Sequence, residues 1–176
     1  MKRRIIKMFC LVFAMAFMVT SSLALATNTD SVAINLLDTE EQVGICQWNG
    51  EQAIITVGEA TEIPDKMRFQ YDLTEGTGTW SRRISITSGV LNVWYTVKYT
   101  IHSNLKVSIV DLYDAGATGI GVSLSFLEYK IVRANETSSL PAECYASWEG
   151  SIGSAINQIV KLRCRFQNSV LNVTMG

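Results

Sequence analysis

The chain has 176 residues, 48% of them hydrophobic and 18% charged, with 15 basic against 16 acidic side chains and a single histidine. That apolar share fits a folded core rather than a disordered polymer. The charge balance argues against a basic nucleic-acid surface, and four cysteines are too few for a disulfide scaffold of this length, so apolar burial must do most of the folding.

The opening segment, "MKRRIIKMFCLVFAMAFMVTSSLALATNTD", has the form of an export signal. Lys2, Arg3, Arg4 and Lys7 form a basic leader, residues 8–19 are an apolar run, and Ala24-Leu25-Ala26 puts small residues where a signal peptidase reads. The run is shorter than the ~20 residues a membrane-spanning helix needs, and no cysteine follows the cleavage point to take a lipid. Residues 1–26 are therefore expected to be removed, and Cys10 with them. What remains carries 11 basic and 16 acidic residues, a net charge of −5. The expectation is a secreted, extracellular protein with no nucleic-acid partner and no membrane association after signal removal. Residues 27–43 read as a flexible lead-in whose Leu-containing part could form a turn of helix. Residues 44–176 read as one antiparallel β domain.

From Gly44 onward strand signals dominate. "GICQWNGEQAIITV" places Asn49-Gly50 between two apolar runs, and Asn-Gly suits a type I′ hairpin because both residues tolerate positive φ. Ser88-Gly89 and Ser103-Asn104 punctuate the next three runs. In the middle one, Leu91, Val93, Tyr95, Val97, Tyr99 and Ile101 alternate with Asn92, Trp94, Thr96, Lys98, Thr100 and His102, the pattern of a strand with one buried face. Asp114 to Gly119 reads as a loop. In "IGVSLSFLEYKIVR" the apolar parity slips at Phe126-Leu127, which predicts a bulge or a strand that passes between two sheets. Gln167-Asn168 reads as a tight turn before a last strand. With only two prolines and many short runs, the fold class is all-β: an antiparallel sandwich or barrel-like meander of about eight or nine strands.

The stretch "ECYASWEGSIGSAINQIVKLRCRF" (143–166) holds two cysteines mirrored about a Gly- and Ser-rich centre at Ser154. With Cys144 opposite Cys164, Ala142 faces Phe166, Ala146 faces Leu162 and Trp148 faces Val160. Small meets large on one side, and acidic meets basic on the other. A helix through Ile152, Ile156, Ile159 and Val160 is the competing reading, but Leu162 falls off its stripe. In the hairpin, Cys144 and Cys164 are either a disulfide, which export permits, or two small buried thiols. After signal removal the cysteine count is odd, so one bridge at most can form, and Cys46 is the thiol left over. Nothing resembles a redox-active Cys-x-x-Cys.

Catalytic and metal motifs are sparse. His102 sits at a strand end beside a turn, where a solvated histidine is the plainer reading. "DLYDAG" lacks the acidic spacing and the distal Glu of a calcium loop, and one histidine with few cysteines forms no zinc set, so no metal or cofactor is expected. Asn135-Glu136-Thr137 and Asn172-Val173-Thr174 fit the glycosylation triplet. Exposed tryptophan on a β-sandwich can stack on sugars or anchor a partner. Trp80 and Trp94 are the candidates, unless a second sheet or a loop covers them.

The runs "VWYTVKYTIHSNLKVSIVDLY" and "CRFQNSVLNVTMG" resemble an uncharacterised family of small secreted all-β proteins of Gram-positive bacteria. The resemblance rests on strand pattern and implies no activity or catalytic residue. The leading expectation is a secreted non-enzymatic binding or cell-surface-associated module of unknown ligand, for which a glycan or a protein at the cell surface is the candidate partner. A small hydrolase using clustered carboxylates and a secreted toxin or inhibitor acting on other cells are the alternatives.

Overall fold

The computed structural model describes residues 31–64, 77–152 and 155–176. The segment read as an export signal, the start of the lead-in and the hairpin centre at Ser154 lie outside the described residues. Eleven strands run through them: β1 (Ser31–Asn35), β2 (Gln42–Trp48), β3 (Glu51–Val57), β4 (Thr61–Glu62), β5 (Gly78–Thr87), β6 (Leu91–Ile101), β7 (Val107–Gly119), β8 (Val122–Arg133), β9 (Ala142–Ile152), β10 (Ala155–Gln167) and β11 (Val170–Met175). Nine correspond to runs legible in the sequence, and β1 and the two-residue β4 are additional.

The strands form two antiparallel sheets, ordered β1-β11-β10-β9-β8 and β2-β3-β5-β6-β7, with β4 attached to β5. This is a β-sandwich. The first described strand, β1, lies in the five-stranded sheet; β2 to β7 build the six-stranded one, and β8 returns to the first.

Local signals set most connections. Asn49 and Gly50 take φ of 50° and 80°, as a type I′ turn between β2 and β3 requires. The β10–β11 turn is made by Asn168 and Ser169, with φ of 51° and 59°, one residue later than the sequence suggested. β6 alternates buried and half-buried residues along its whole length, with its apolar set inward. Its inner face meets the opposite sheet directly, since the Tyr99 ring lies 5.6 Å from that of Phe166 on β10. In β8 the parity slip is a bulge: Phe126 pairs with Trp148 and Glu128 with Ser147, leaving Leu127 over.

Two expectations are corrected. Residues 31–43, read as part of a flexible lead-in, include β1, which pairs along its length with β11, and the start of β2. Val32 of β1 lies against Gly44 of β2, where a Cβ would collide with the valine side chain. Asp114 to Gly119, read as a loop, is the second half of β7. The strand stays paired with β6 by absorbing two irregularities, one of them at Asp114, whose φ is 54°.

One end of the sandwich is tied by a buried carboxylate. Glu136 Oε2 accepts from the Val107 amide at 3.0 Å and Oε1 from the Asn168 amide at 3.0 Å, joining β7 of one sheet to the β10–β11 turn of the other. Elsewhere Arg82, buried on the inner side of β5, donates through its guanidinium to the carbonyls of Asp38 and Glu40 and so holds the β1–β2 connection.

Candidate ligand-binding face

The hairpin register is the one inferred from the sequence. Cys164 pairs with Cys144, Leu162 with Ala146, Val160 with Trp148 and Phe166 with Ala142. On the outer side Glu143 bridges Arg163 at 3.5 Å and Arg165 at 3.3 Å, so opposite charges do meet across the strands. Tyr145 is covered as well. Its hydroxyl donates to Glu128 at 2.8 Å and the Lys161 ammonium lies 5.1 Å from its ring. Cys46, Cys144 and Cys164 are all buried in the core and none is disulfide-bonded. Across the sheets the Tyr95 hydroxyl lies 3.7 Å from Cys144 Sγ. Burial, followed by the neighbouring Cys144, pushes the Cys164 thiol well above its usual range.

The four tryptophans separate cleanly. Trp148 is fully buried, and Trp48 and Trp80 are partly buried against the core. Trp80 pairs with Tyr99 and so shares the inner parity of β5 and β6. Its indole packs against the core but stays partly exposed. Trp94 stands on the outer face of the six-stranded sheet.

The setting of Trp94 follows from register. A row of cross-strand partners runs Thr56 on β3, Ser85 on β5, Trp94 on β6 and Gly116 on β7. Two small side chains and a glycine flank one large ring, leaving a trough beside it. Gly116 is required because a Cβ there would enter the Trp94 ring. Arg83, the diagonal neighbour on β5, holds its guanidinium carbon 4.7 Å from the ring centroid, a cation–π contact. The resulting groove has a volume of about 370 Å³, and Glu41 and Asn92 complete its polar walls.

A second groove, of about 500 Å³, lies on the five-stranded sheet between Ser123, Ser125, Glu149 and Ile159, with no aromatic residue in its lining. Each groove has one carboxylate in its lining, Glu41 or Glu149. His102 donates to or accepts from Ser108 Oγ at 2.7 Å on an exposed strand end. No group of three or more His, Cys, Asp or Glu is placed to hold a metal ion among the described residues. The Arg83–Trp94 stack escaped the sequence reading. Its only signal was that Arg83 and Trp94 share outward parity on adjacent strands.

No family model matches the chain, and no curated protein matches it. Among solved structures it is similar to a hypothetical protein from Listeria monocytogenes EGD-e, with 15% sequence identity and a TM-score of 0.40, over 78% of this chain and 96% of that one.

Proposed function

We propose that the chain is an exported, non-enzymatic binding domain of the small secreted β-sandwich kind found in Gram-positive bacteria, and that it recognises cell-surface glycan through the outer face of the six-stranded sheet. The observation that carries this reading is the half-buried Trp94 ring, packed beside Gly116 and contacted by the Arg83 guanidinium, in the wall of an open groove lined largely by polar residues. A flat aromatic surface supplies apolar area to the C–H face of a sugar ring, while hydroxyl, amide and guanidinium groups around it supply hydrogen bonds to the sugar's hydroxyls. Trp148 is buried and Trp48 and Trp80 pack partly against the core, whereas Trp94 lines the groove on the outer face. A single carboxylate in the groove supports binding over the two-carboxylate chemistry of sugar hydrolysis.

The test is a pull-down and glycan-array screen with the purified protein, its Trp94→Ala variant and Ile159→Ala as a control on the opposite sheet. Wild type and Ile159→Ala should bind the same glycans, and Trp94→Ala should lose about 10-fold or more in affinity, the size expected for a central aromatic contact. Equal binding by Trp94→Ala, or no glycan bound by the wild type, would remove this role.

A further inference from the structure

We infer that Cys144 and Cys164, unbonded in this structure, are joined by a cross-strand disulfide when the chain folds under oxidising conditions, and that the pair is closed to chemistry once the two sheets have met. This stands apart from the glycan reading and uses different residues.

Three observations carry it. The two cysteines are direct partners in an antiparallel pair. Directly opposed residues have Cβ atoms about 4.5–5.5 Å apart, within a small adjustment of the ~3.5–4.5 Å a disulfide needs. Their flanking pairs, Ala146–Leu162 and Ala142–Phe166, fix that register by fitting small against large, so a slip that separates the sulfurs would also misplace the core. Finally, both side chains are 0% exposed, with the Tyr95 hydroxyl of the opposite sheet against Cys144.

The same burial that makes the pair close makes it unreachable. A disulfide oxidant must contact a thiolate, and the folded interior offers neither access nor, for Cys164, an easily ionised thiol. The reaction therefore belongs to the open chain. One cysteine thiolate attacks the oxidant's disulfide, giving a mixed disulfide and releasing one oxidant thiol. The second cysteine thiolate attacks the chain's sulfur in that mixed disulfide, forming the Cys144–Cys164 bond and releasing the other oxidant thiol. Two electrons and two protons pass to the oxidant, which leaves as a pair of thiols. On the oxidising side of a membrane such disulfide oxidants are present. The redox state of the pair thus records where the chain folded.

The experiment refolds the full chain from denaturant in two ways, one with reductant maintained and one with oxidised glutathione present. Thiols are then alkylated first in native buffer and again in denaturant, and the protein is mapped by mass spectrometry. Refolding with oxidised glutathione should give a linked Cys144–Cys164 peptide. Reduced, already folded protein given the same oxidant should form it at least 100-fold more slowly. The bonded form should keep its bond in native buffer with dithiothreitol, lose it when denaturant is added, and melt roughly 5–10 °C above the reduced form. Absence of the linked peptide after oxidative refolding, a bond from either residue to another cysteine, or equal rates of oxidation before and after folding would each overturn the inference.

Discussion

At the scale of single residues, polar side chains at this sandwich's rim do more than solvate it. Glu136 is 7% exposed and accepts from two backbone amides that have no strand partner of their own kind at that point. Glu136→Ala would strand the buried Val107 donor and leave the Asn168 donor to water, at a cost of about 1–3 kcal/mol, whereas Glu136→Gln keeps one acceptor and should cost less. Urea unfolding of the two variants checks this, and equal losses would show that the carboxylate's packing, not its two bonds, is what matters. Gly116 acts in the opposite sense, through the side chain it lacks. It leaves the space in which the Trp94 ring lies, and without that space the groove wall would not form.

Among the elements, β1 depends most on a distant partner. It is five residues long, pairs with β11, and rests its Val32 on Gly44. Gly44→Val should push β1 away, at a cost of about 1–3 kcal/mol typical of overpacking. Hydrogen exchange should then show faster exchange at Ser31–Asn35 with β5 and β6 still protected, and uniform loss of protection across both sheets would show that β1 does not dock as a separate unit. The same strand shows what the sequence withheld. β6 was legible because eleven residues alternate without a break, and the cysteine hairpin because its small and large residues complement one another across one centre. β1 was not, because two inward residues in a polar stretch say nothing until a strand from the far end of the chain lies beside them. Asp114 to Gly119 misled for a different reason. Its glycines looked like turn formers, but Gly116 makes room for Trp94 and Gly119 sits against the Val90 carbonyl, so both are small because of close approach within a strand. Trp94 was named from sequence. Its groove was not, since β3, β5, β6 and β7 all contribute to that row of the sheet.

For the whole molecule, the core holds several acidic protons unusually tightly. Burial raises Tyr95 well above the ordinary phenol range, with Cys144 and Cys164 adding to it. Burial likewise raises Tyr99, although Arg82 pulls it partly back. Cys164 is raised in the same way. In the unfolded chain these groups ionise near ~8.5 for the thiol and ~10 for the phenols. As pH rises through the unfolded thiol's ~8.5 and then the phenols' ~10, the unfolded chain binds fewer protons than the folded one and stability must fall, whereas well below ~8.5 these groups contribute no slope. The urea midpoint of the reduced protein should be level with respect to them well below about pH 8.5 and then decline toward about pH 11. The decline should be shallower in the Tyr95→Phe, Tyr99→Phe double variant. A midpoint unchanged across that range, or an identical decline in the double variant, would refute the assignment.

The strand order also has a consequence for a chain emerging end first. The six-stranded sheet is built from strands that leave in sequence, β2 through β7, each pairing with one already present or next to come. The five-stranded sheet takes its first strand from the beginning and its other four from the end. β1 must therefore wait for its strand partner until β11 has been made, and that pairing is the longest-range one among the described strands. One sheet can assemble as it appears, and the other is closed only once β11 has been made.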